Sequence, residues 1–481
     1  MPQRTPRITR LIERAAKQAR KETSDEPEPD MIRPIHWPID CTVGPGLEGA
    51  IACETKVGYV NGAKGWLIYG GYNIFDLCAR CTFEEVSYLL LHGHLPDKRQ
   101  LERYERKLKD YRRLSLTLRQ LQSFSVEELN TMAALRLGTL FMRQKQTYRD
   151  RPEARPLPDT AIGTDEDSIP METKPTGEPH AIYEFKHSQY RWRRPRQAQP
   201  GTRGSEGLES CYHLISGVAV ITAAIARTRE GKLPMEPRDD LGHAANFLYM
   251  MTGEEPTAQE ARVMDVAMIL HADHGMNAST FAAMVVASTL SDIYFAVGAG
   301  IAALNGPLHG GANEQVIHTL REIGDVKNVK KWYKRARERK MKVPGFGHRV
   351  YKAYDPRARV LGPLARMLAK NAPEIGPLLE IADALEQEVV KDLGKKKKVF
   401  PNVDFYSGLT YGALGIEAEM FGPIFAVARV AGWSARVLEY LRNNRIFRPR
   451  AMYVGGFHDS LPSMRARGRA RKRDGSGSKD D

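Results

Sequence analysis

The 481-residue chain is 42% hydrophobic and 27% charged, which excludes an intrinsically disordered chain and favours a soluble globular protein with two or three domains. Its formal net charge is +14, and the most obvious basic clusters lie at residues 191–196, 395–398 and 465–473. No nucleic-acid recognition motif accompanies these clusters. We therefore interpret them as solvated segments and expect no nucleic-acid partner.

Neither the hydropathy nor the cysteine pattern indicates a membrane protein or a secreted one. The longest mainly apolar run, residues 293–304, is far shorter than the roughly 20 residues that span a bilayer, so we expect no membrane segment. Of the five cysteines, only Cys78 and Cys81 form a close pair, and no second pair or histidine pattern favours zinc. Structural thiols in a reducing compartment are favoured. Glu13 and Glu22 are unusual for a mitochondrial transit peptide, so we expect a cytoplasmic location rather than the mitochondrial matrix.

The first 71 residues contain a polar segment and then a small β element. Residues 1–35 are predicted to be a polar N-terminal tail, within which four apolar residues at helical spacing favour a short amphipathic helix. Residues 56–60 and 66–69 have the alternation of strands, and Asn61 and Gly62 between them predict a hairpin turn.

Helical periodicity dominates the remainder, so the predicted fold class is mainly α with a small N-terminal β element. The predicted helices span residues 82–92, 101–121, 125–140, 212–230, 241–252, 257–270, 279–304, 314–323, 360–372, 375–394, 416–421 and 423–443. Residues 143–207 are rich in proline, arginine, glycine and acidic residues, which predicts a long polar insertion without a core. Residues 461–481 are predicted to be a basic, disordered tail.

Three titratable residues, His309, His348 and Asp404, lie in turns rich in glycine and proline, where a backbone can approach a ligand closely. The turns occupy residues 306–314, 345–357 and 401–408. Each residue also has a purely structural interpretation: a backbone-bonded histidine at a helix end, a surface histidine in a glycine turn, and a helix N-cap.

In these settings, the order His, His, Asp resembles the citrate synthase family. The resemblance continues in residues 270–280, 425–433 and 448–450, and it covers most of residues 44–456 apart from a stretch near the middle. It implies a large helical domain into which a smaller helical domain is inserted. The implied large domain comprises residues 36–310 and 415–460, with 143–207 as its insertion, and the implied small domain is 311–414.

The resemblance also implies the reaction and its catalytic groups. The enzyme would be an acyltransferase that condenses acetyl-CoA with oxaloacetate and hydrolyses the citryl thioester to citrate and CoA, the entry to the tricarboxylic acid cycle. Asp404 would be the general base, His309 would stabilise the enol or enolate, and His348 would donate to the ketone oxygen.

The remaining implied contacts bind the two substrates. Oxaloacetate would be bound by one histidine and by guanidinium groups, which suit its carboxylates: His274, Arg357, Arg429 and Arg448. Arg429 is the most informative from the residues alone, because it lies in a mostly apolar predicted helix. Coenzyme A would be contacted by Lys352, Val343, Gly345 and Gly347.

No bound cofactor or metal is implied, since the coenzyme A thioester is a substrate and preorganised donors can do the work of a metal. His271 and His274, three residues apart, leave a metal site as an alternative. The resemblance implies a homodimer in which Arg448 enters the neighbouring subunit's active site, with a higher oligomer left open. Two alternative functions also stay open: a 2-methylcitrate synthase that uses propionyl-CoA, and a non-catalytic binding or scaffold protein on the same fold.

Overall fold

The computed structural model describes residues 5–22, 36–143 and 203–455. The chain divides into two compact units, Met1–Arg445 and Ile446–Asp481. All helices and strands named below belong to the first unit. Residues 446–455, the described part of the second unit, contain neither.

The first unit is mainly helical, which confirms the predicted fold class. Its described helices are α1 Pro6–Lys21, α2 Ile74–Arg80, α3 Phe83–His92, α4 Lys98–Asp110, α5 Ser115–Leu121, α6 Thr131–Met142, α7 Arg203–Arg229, α8 His243–Thr252, α9 Ala258–His271, α10 Ala278–Ser288, α11 Ile293–Leu304, α12 Ala312–Ile323, α13 Val329–Glu338, α14 Pro356–Leu368, α15 Gly376–Val389, α16 Lys395–Lys397, α17 Val403–Gly412 and α18 Phe421–Leu441.

A three-stranded antiparallel sheet precedes α2, with strands β1 Gly58–Asn61, β2 Trp66–Tyr69 and β3 Tyr72–Asn73 in that order. The predicted hairpin is present, because Asn61 pairs with Trp66 across a turn. The side-chain oxygen of Asn61 accepts a 2.9 Å hydrogen bond from the backbone N–H of Lys64, which closes that turn.

Helix α18 forms the centre of the core. Every residue from Phe421 to Val437 except Gly422 is buried, and α18 packs against α3, α7, α9, α10 and α11. Within the described residues, only Gly207–Arg229 of α7 is long and apolar enough to cross a membrane, and 89% of its apolar window is buried in the protein. That degree of burial is typical of a core helix in a globular protein.

Several predicted helix ends are wrong, and tertiary contacts give the reason. The predicted helix 101–121 is two helices, because Arg112 is buried between them and donates to the carbonyl oxygens of Arg238 and Leu241 at 2.8 and 3.0 Å. The predicted helix 375–394 leaves the α-helical pattern after Val389 and ends in a single π-helical turn, Val390–Gly394.

The boundaries predicted for the insertion need correction at both ends. Helix α7 begins at Arg203, so the last residues of the predicted insertion 143–207 are helical. At the other end, Arg143 forms an ion pair with the buried Asp292. Residues 144–202, the rest of this prediction, and the predicted tail 461–481 lie outside the described residues.

The N-terminal segment contributes to the core through α1. Ile8, Ile12 and Ala15 are buried, and α1 packs against α2 and α14. Arg359 of α14 also forms an ion pair with Glu22. The prediction of a polar tail for residues 1–35 is therefore incomplete, because the amphipathic helix α1 packs on the rest of the first unit.

The predicted small domain, residues 311–414, contains α12 to α17. These helices pack on one another, but α14 also packs against α1, α2 and α9. Because of these contacts, the division between a large and a small domain stays a prediction.

Candidate active site

Helix α18 carries a buried arginine near its middle. Arg429 is 1% exposed, and its Nε donates a 2.6 Å hydrogen bond to the carbonyl oxygen of His271. The guanidinium lies 4.7 Å from the ring centre of Phe425, and Nη2 has no hydrogen-bond partner among the described residues. Burial lowers the pKa of Arg429 to about 10, although Asp273 acts in the opposite direction. Because an incompletely paired buried cation is costly, this position favours an anionic ligand.

A second arginine is held by an ion pair at the start of α14. Arg357 donates through Nε and Nη2 to the two carboxylate oxygens of Asp355, at 3.0 and 2.8 Å. Asp355 also caps α14 and accepts from the backbone N–H of Val403 at 3.2 Å, which joins α14 to the start of α17. Burial alone would raise the pKa of Asp355, but Arg357 outweighs burial and the pKa is lowered. Sequence analysis missed Asp355, although an Asp-Pro pair before a helix is a recognisable capping signal.

The backbone determines which nitrogen of His348 carries the proton. The backbone N–H groups of Val350 and Tyr351 donate to Nδ1 at 3.0 and 3.1 Å, so the neutral ring carries its proton on Nε2. Burial first, and then Arg357 and Lys352, lower the pKa of His348 to about 4. His348 is therefore a neutral hydrogen-bond donor near pH 7.

Ser279 determines which nitrogen of His309 carries the proton. Nε2 of His309 accepts from the backbone N–H of Ser279 at 3.3 Å and lies 2.8 Å from the serine Oγ. Trp433 of α18 donates to that Oγ at 3.2 Å and so helps to hold the serine. The neutral ring then carries its proton on Nδ1. Burial, reinforced by Arg429, lowers the pKa of His309 to about 4, which gives the site a second neutral donor.

His274 is a third neutral imidazole, next to His348. The two rings are 5.2 Å apart in an edge-to-face arrangement, and Nε2 of His274 lies 3.2 Å from the hydroxyl oxygen of Tyr351. Burial, with contributions from Arg357 and His348, holds the pKa of His274 well below its usual value.

The carboxylate of Asp404 lies in the same electrostatic environment. Asp404 is in the first turn of α17, where the side chain of Asn402 accepts from its backbone N–H at 3.0 Å. Burial raises the pKa of Asp404 to about 6, against the opposing influence of Arg357 and Arg429. The same two arginines lower the pKa of His274, so these groups form one cluster. A carboxylate with this pKa is ionised near pH 7 yet more basic than an ordinary aspartate, which suits a general base.

A buried ion pair behind the cluster positions His274. Arg436 donates through Nε and Nη2 to Asp273, both at 2.7 Å, and the hydroxyl of Tyr69 donates to the Asp273 carbonyl oxygen at 2.7 Å. Asp273 directly precedes His274, so this pair and strand β2 hold that histidine. Sequence analysis missed the pair. The sequence does contain one signal of this pair: Arg436 is a second arginine in the same apolar helix, two turns after Arg429.

The turn between β1 and β2 supports the loop that carries His348. The carbonyl oxygen of Gly62 accepts from the backbone N–H of Lys352 at 2.9 Å. A Cβ atom at Gly62 would lie 2.0 Å from the carbonyl oxygen of Val350, so a side chain there would displace the loop. The small β element therefore has a direct part in placing His348.

Four residues are predicted to contact coenzyme A: Val343, Gly345, Gly347 and Lys352. Two of them, Gly345 and Gly347, flank an isolated antiparallel bridge between Phe346 and Pro401. Gly347 donates to the carbonyl oxygen of Phe400 at 2.9 Å, and Asn402 donates to the carbonyl oxygen of Gly345 at 2.8 Å. Both glycines need a positive φ, +77° and +78°, which other residues rarely adopt. Lys352 is exposed and Val343 is half-buried. Their contact with coenzyme A stays a prediction.

Two other predictions receive less support. The ring of His271 packs edge-on against Phe425 at 4.7 Å, and its Nδ1 lies 2.7 Å from the carbonyl oxygen of Ala267. The described residues contain no group of three or more His, Cys, Asp or Glu side chains that could hold a metal ion, and a metal at His271 and His274 stays an untested alternative. Arg448 belongs to the second unit, where it is exposed, and its binding of oxaloacetate stays a prediction.

The first unit is mainly helical, and its buried groups include a basic carboxylate, three neutral imidazoles and two arginines that influence one another's pKa and suit an anionic substrate. A family model described as "Citrate synthase, C-terminal domain" matches residues 46–450. The chain belongs to the citrate synthase family and is an acyltransferase of that type.

Individual relatives match over most of their length. A citrate synthase from Deinococcus radiodurans is 39% identical over 415 residues, which cover 86% of this chain and 96% of the relative. The crystal structure of citrate synthase from Pyrobaculum aerophilum is similar with a TM-score of 0.72 at 37% identity, over 90% of this chain and 99% of the other. A Thermoplasma acidophilum citrate synthase, solved as a ternary complex with carboxymethyl coenzyme A and oxaloacetate, has a TM-score of 0.73 at 29% identity, over 89% and 100%.

Proposed function

We propose that this protein joins the methyl carbon of acetyl-CoA to the ketone carbon of oxaloacetate and then hydrolyses the citryl thioester to citrate and CoA. The observation that carries the proposal is the buried Arg429, whose Nη2 has no hydrogen-bond partner in the described part of the chain and lies in a site with neutral donors and a basic carboxylate. A dicarboxylate with a ketone would pair with that cation and offer an oxygen to the donors.

The first step is removal of a proton from the thioester methyl group. Asp404 takes the proton, and its raised pKa makes it a stronger base than an ordinary aspartate. The electron pair left behind moves toward the thioester oxygen, where the Nδ1 proton of His309 stabilises the developing charge. Because the pKa of His309 is about 4, the ring remains a neutral donor during this step.

The second step forms the carbon–carbon bond. The enolate carbon attacks the ketone, and the Nε2 proton of His348 is donated to the ketone oxygen as it gains charge. Arg357 and Arg429 hold the carboxylates, so the ketone faces the enolate. Water then cleaves the citryl thioester: its oxygen bonds to the acyl carbon as the carbon–sulfur bond breaks, and one of its protons is transferred to the CoA thiol. The proton taken by Asp404 returns to solvent as His348 regains the one it gave, so both groups are restored for the next turnover.

The proposal is tested by coupling thiol release to a colorimetric reagent with acetyl-CoA as substrate. Release that depends on oxaloacetate is the expected result. A parallel reaction with propionyl-CoA decides between the acetyl and propionyl substrates, because one methylene is worth about 1–3 kcal/mol of discrimination. No release with either thioester from folded protein would overturn the proposal and favour a scaffold role.

The proposal includes a homodimer in which Arg448 reaches the neighbouring subunit's site. Its support is the position of Arg448 in an exposed segment after α18, the last helix that the structure describes, since such a segment is free to cross a two-fold interface. Inactive His309→Ala and Arg448→Ala subunits, mixed under exchange conditions, should regain activity, because each mixed dimer then contains one intact site. If exchange is verified by mass tags and no activity returns, Arg448 is not shared in this way.

A further inference from the structure

Glu386 of α15 accepts hydrogen bonds from two tyrosines that lie beside residues of the candidate site. The hydroxyl of Tyr354, 32 residues earlier in the chain, donates to its Oε1 at 2.6 Å, and the hydroxyl of Tyr406, 20 residues later, donates to its Oε2. Burial, and then Glu386, hold the pKa of both tyrosines well above the usual value, so their hydroxyls stay protonated and able to donate. One carboxylate therefore joins two segments that are far apart in the chain.

Tyr354 connects Glu386 to the ion pair at the start of α14. It directly precedes Asp355, whose two carboxylate oxygens accept from Nε and Nη2 of Arg357 at 3.0 and 2.8 Å. Arg357 fixes the carboxylate of Asp355, and Tyr354 fixes the backbone that carries it. A shift of Tyr354 would therefore shift an arginine that the proposed reaction uses to hold oxaloacetate.

Tyr406 makes the second connection, to the general base. It is buried in α17 two residues after Asp404, and its hydroxyl accepts a 2.9 Å hydrogen bond from Nη2 of Arg366. The backbone N–H of Val403, the first residue of α17, is one of those that a helix cannot pair internally, and Asp355 accepts it at 3.2 Å. The start of α17 is thus held at two points, by Tyr406 and by Asp355.

These contacts close a ring around the base and the arginine. Glu386 binds both tyrosines, and Asp355, next to the first tyrosine, binds the helix that carries the second. Burial raises the pKa of Asp404, Arg357 opposes that rise and Asp355 adds to it. The basicity of Asp404 therefore depends on its distances from both members of the ion pair.

We propose that Glu386 is a positioning residue: through its two tyrosines it holds the general base at a fixed distance from the arginine that binds the acceptor carboxylate. The inference rests on the proposed function, because it assigns a task in that reaction to a residue outside the site. Glu386 takes no part in proton transfer. It acts only through α17 and through the turn that begins α14.

The two tyrosines should give different kinetic effects when each loses only its hydroxyl. Tyr406→Phe should lower kcat about tenfold with the KM for oxaloacetate changed less than about twofold, because it loosens the base. Tyr354→Phe should raise the KM for oxaloacetate about tenfold, because it loosens the arginine. A loss of stability alone would not separate kcat from KM in this way.

Tyr333→Phe is the matched control for both variants. Its ring is buried on α13, which also packs against α15, and its hydroxyl donates to Asp392 at 2.9 Å, so it loses the same type of hydrogen bond. Both kinetic parameters should stay within about twofold of the parent in this variant. Equal losses in all three tyrosine variants, or no loss in any of them, would overturn the inference.

Variants of Glu386 itself test whether the tyrosines act through one carboxylate. Glu386→Ala should lower kcat/KM as much as the double variant Tyr354→Phe, Tyr406→Phe, and Glu386→Gln, which keeps one acceptor oxygen, should lie between Glu386→Ala and the parent. Glu388→Gln, two residues further along α15, removes a charge that lies 3.9 Å from Lys330 and should have no effect. Parent kcat/KM in folded Glu386→Ala would contradict the inference. If Glu386→Ala does not fold, the tyrosine variants decide.

Hydrogen exchange measures the same coupling without substrate. The backbone N–H of Val403 is protected by Asp355, so it should exchange about tenfold faster in Tyr354→Phe and Glu386→Gln than in the parent, and at the parent rate in Tyr333→Phe. If the parent shows no oxaloacetate-dependent thiol release, the proposed function fails, while the exchange rates still decide whether Glu386 controls this contact. An unchanged rate at Val403 in Glu386→Gln contradicts the inference.

Discussion

Arg429 and Arg436 lie on the same helix, two turns apart, and are 1% and 2% exposed, yet they should respond in opposite ways to the same substitution. Arg436 is paired with Asp273 through two of its nitrogens, whereas Arg429 donates through Nε to a carbonyl oxygen and its Nη2 has no partner among the residues that the structure describes. Burial lowers the pKa of Arg429 to about 10, which corresponds to roughly 3 kcal/mol against its charged form. Methionine has an unbranched side chain, as arginine does, but it is apolar. The substitution Arg429→Met therefore removes the free-energy cost of burying the charge.

We expect Arg429→Met to leave the ligand-free protein as stable as the parent or up to about 2 kcal/mol more stable, because the lost hydrogen bond to His271 offsets part of the gain. Arg436→Met should destabilise the protein by about 3–5 kcal/mol, since it leaves the Asp273 carboxylate buried and unpaired. Thermal melting of both variants, with and without oxaloacetate, measures the difference. Oxaloacetate should raise the Tm of the parent and not that of Arg429→Met. If Arg429→Met is destabilised as much as Arg436→Met, Arg429 is a structural residue.

Further predictions concern Asp404 and the hairpin. In a pH profile, kcat/KM should fall tenfold per pH unit below about pH 6, because Asp404 must be ionised to act as the base. His309 and His348, with pKa values of about 4, stay neutral over most of this range. A steeper fall would show that a second group titrates. Asp404→Asn should lower kcat about 10²–10⁴-fold. Since folding raises the Asp404 pKa to about 6, the fold loses stability as the pH rises from about 4 to about 6 and Asp404 ionises. The Asn variant should therefore be about 1–2 kcal/mol more stable than the parent at pH 8 and equal to it near pH 4, as urea unfolding would show. Gly62→Ala should lower kcat by roughly 10²-fold, because the added Cβ clashes with Val350 and displaces the His348 loop. The control Gly376→Ala, which has open space around its Cβ, should leave kcat unchanged. Equal kcat values for the two variants would show that the hairpin does not place His348.

The mainly α fold follows from local patterns in the sequence, whereas the residues of the candidate site were predicted from the resemblance to the citrate synthase family. Helical periodicity is a short-range property, and His309, His348 and Asp404 lie in turns whose glycines and prolines mark a close approach of the backbone. The tautomer of His309 could not be predicted, because Ser279 is 30 residues away in the chain. The buried pair of Asp273 and Arg436 depends on a contact across 163 residues.

Some predicted helix boundaries are wrong for the same reason, because contacts between residues far apart in the chain determine where those helices end. Arg112 interrupts a run of helix-favouring residues only because its carbonyl partners lie 126 and 129 residues further along the chain. Helix α1 has an amphipathic pattern, but the surface that buries it is supplied by α2 and α14. Such contacts come from tertiary structure and have no signature within a local window.

The central claim is that this site forms a carbon–carbon bond before it cleaves the thioester. Acetyl-CoA labelled with ¹³C at the methyl carbon, incubated with oxaloacetate and the protein, tests it directly by NMR of the products. The account predicts that the label appears in a methylene carbon of citrate, in equal amount to the CoA released, and that Asp404→Asn suppresses both products together. Label recovered only as acetate would show simple thioester hydrolysis and would contradict the account.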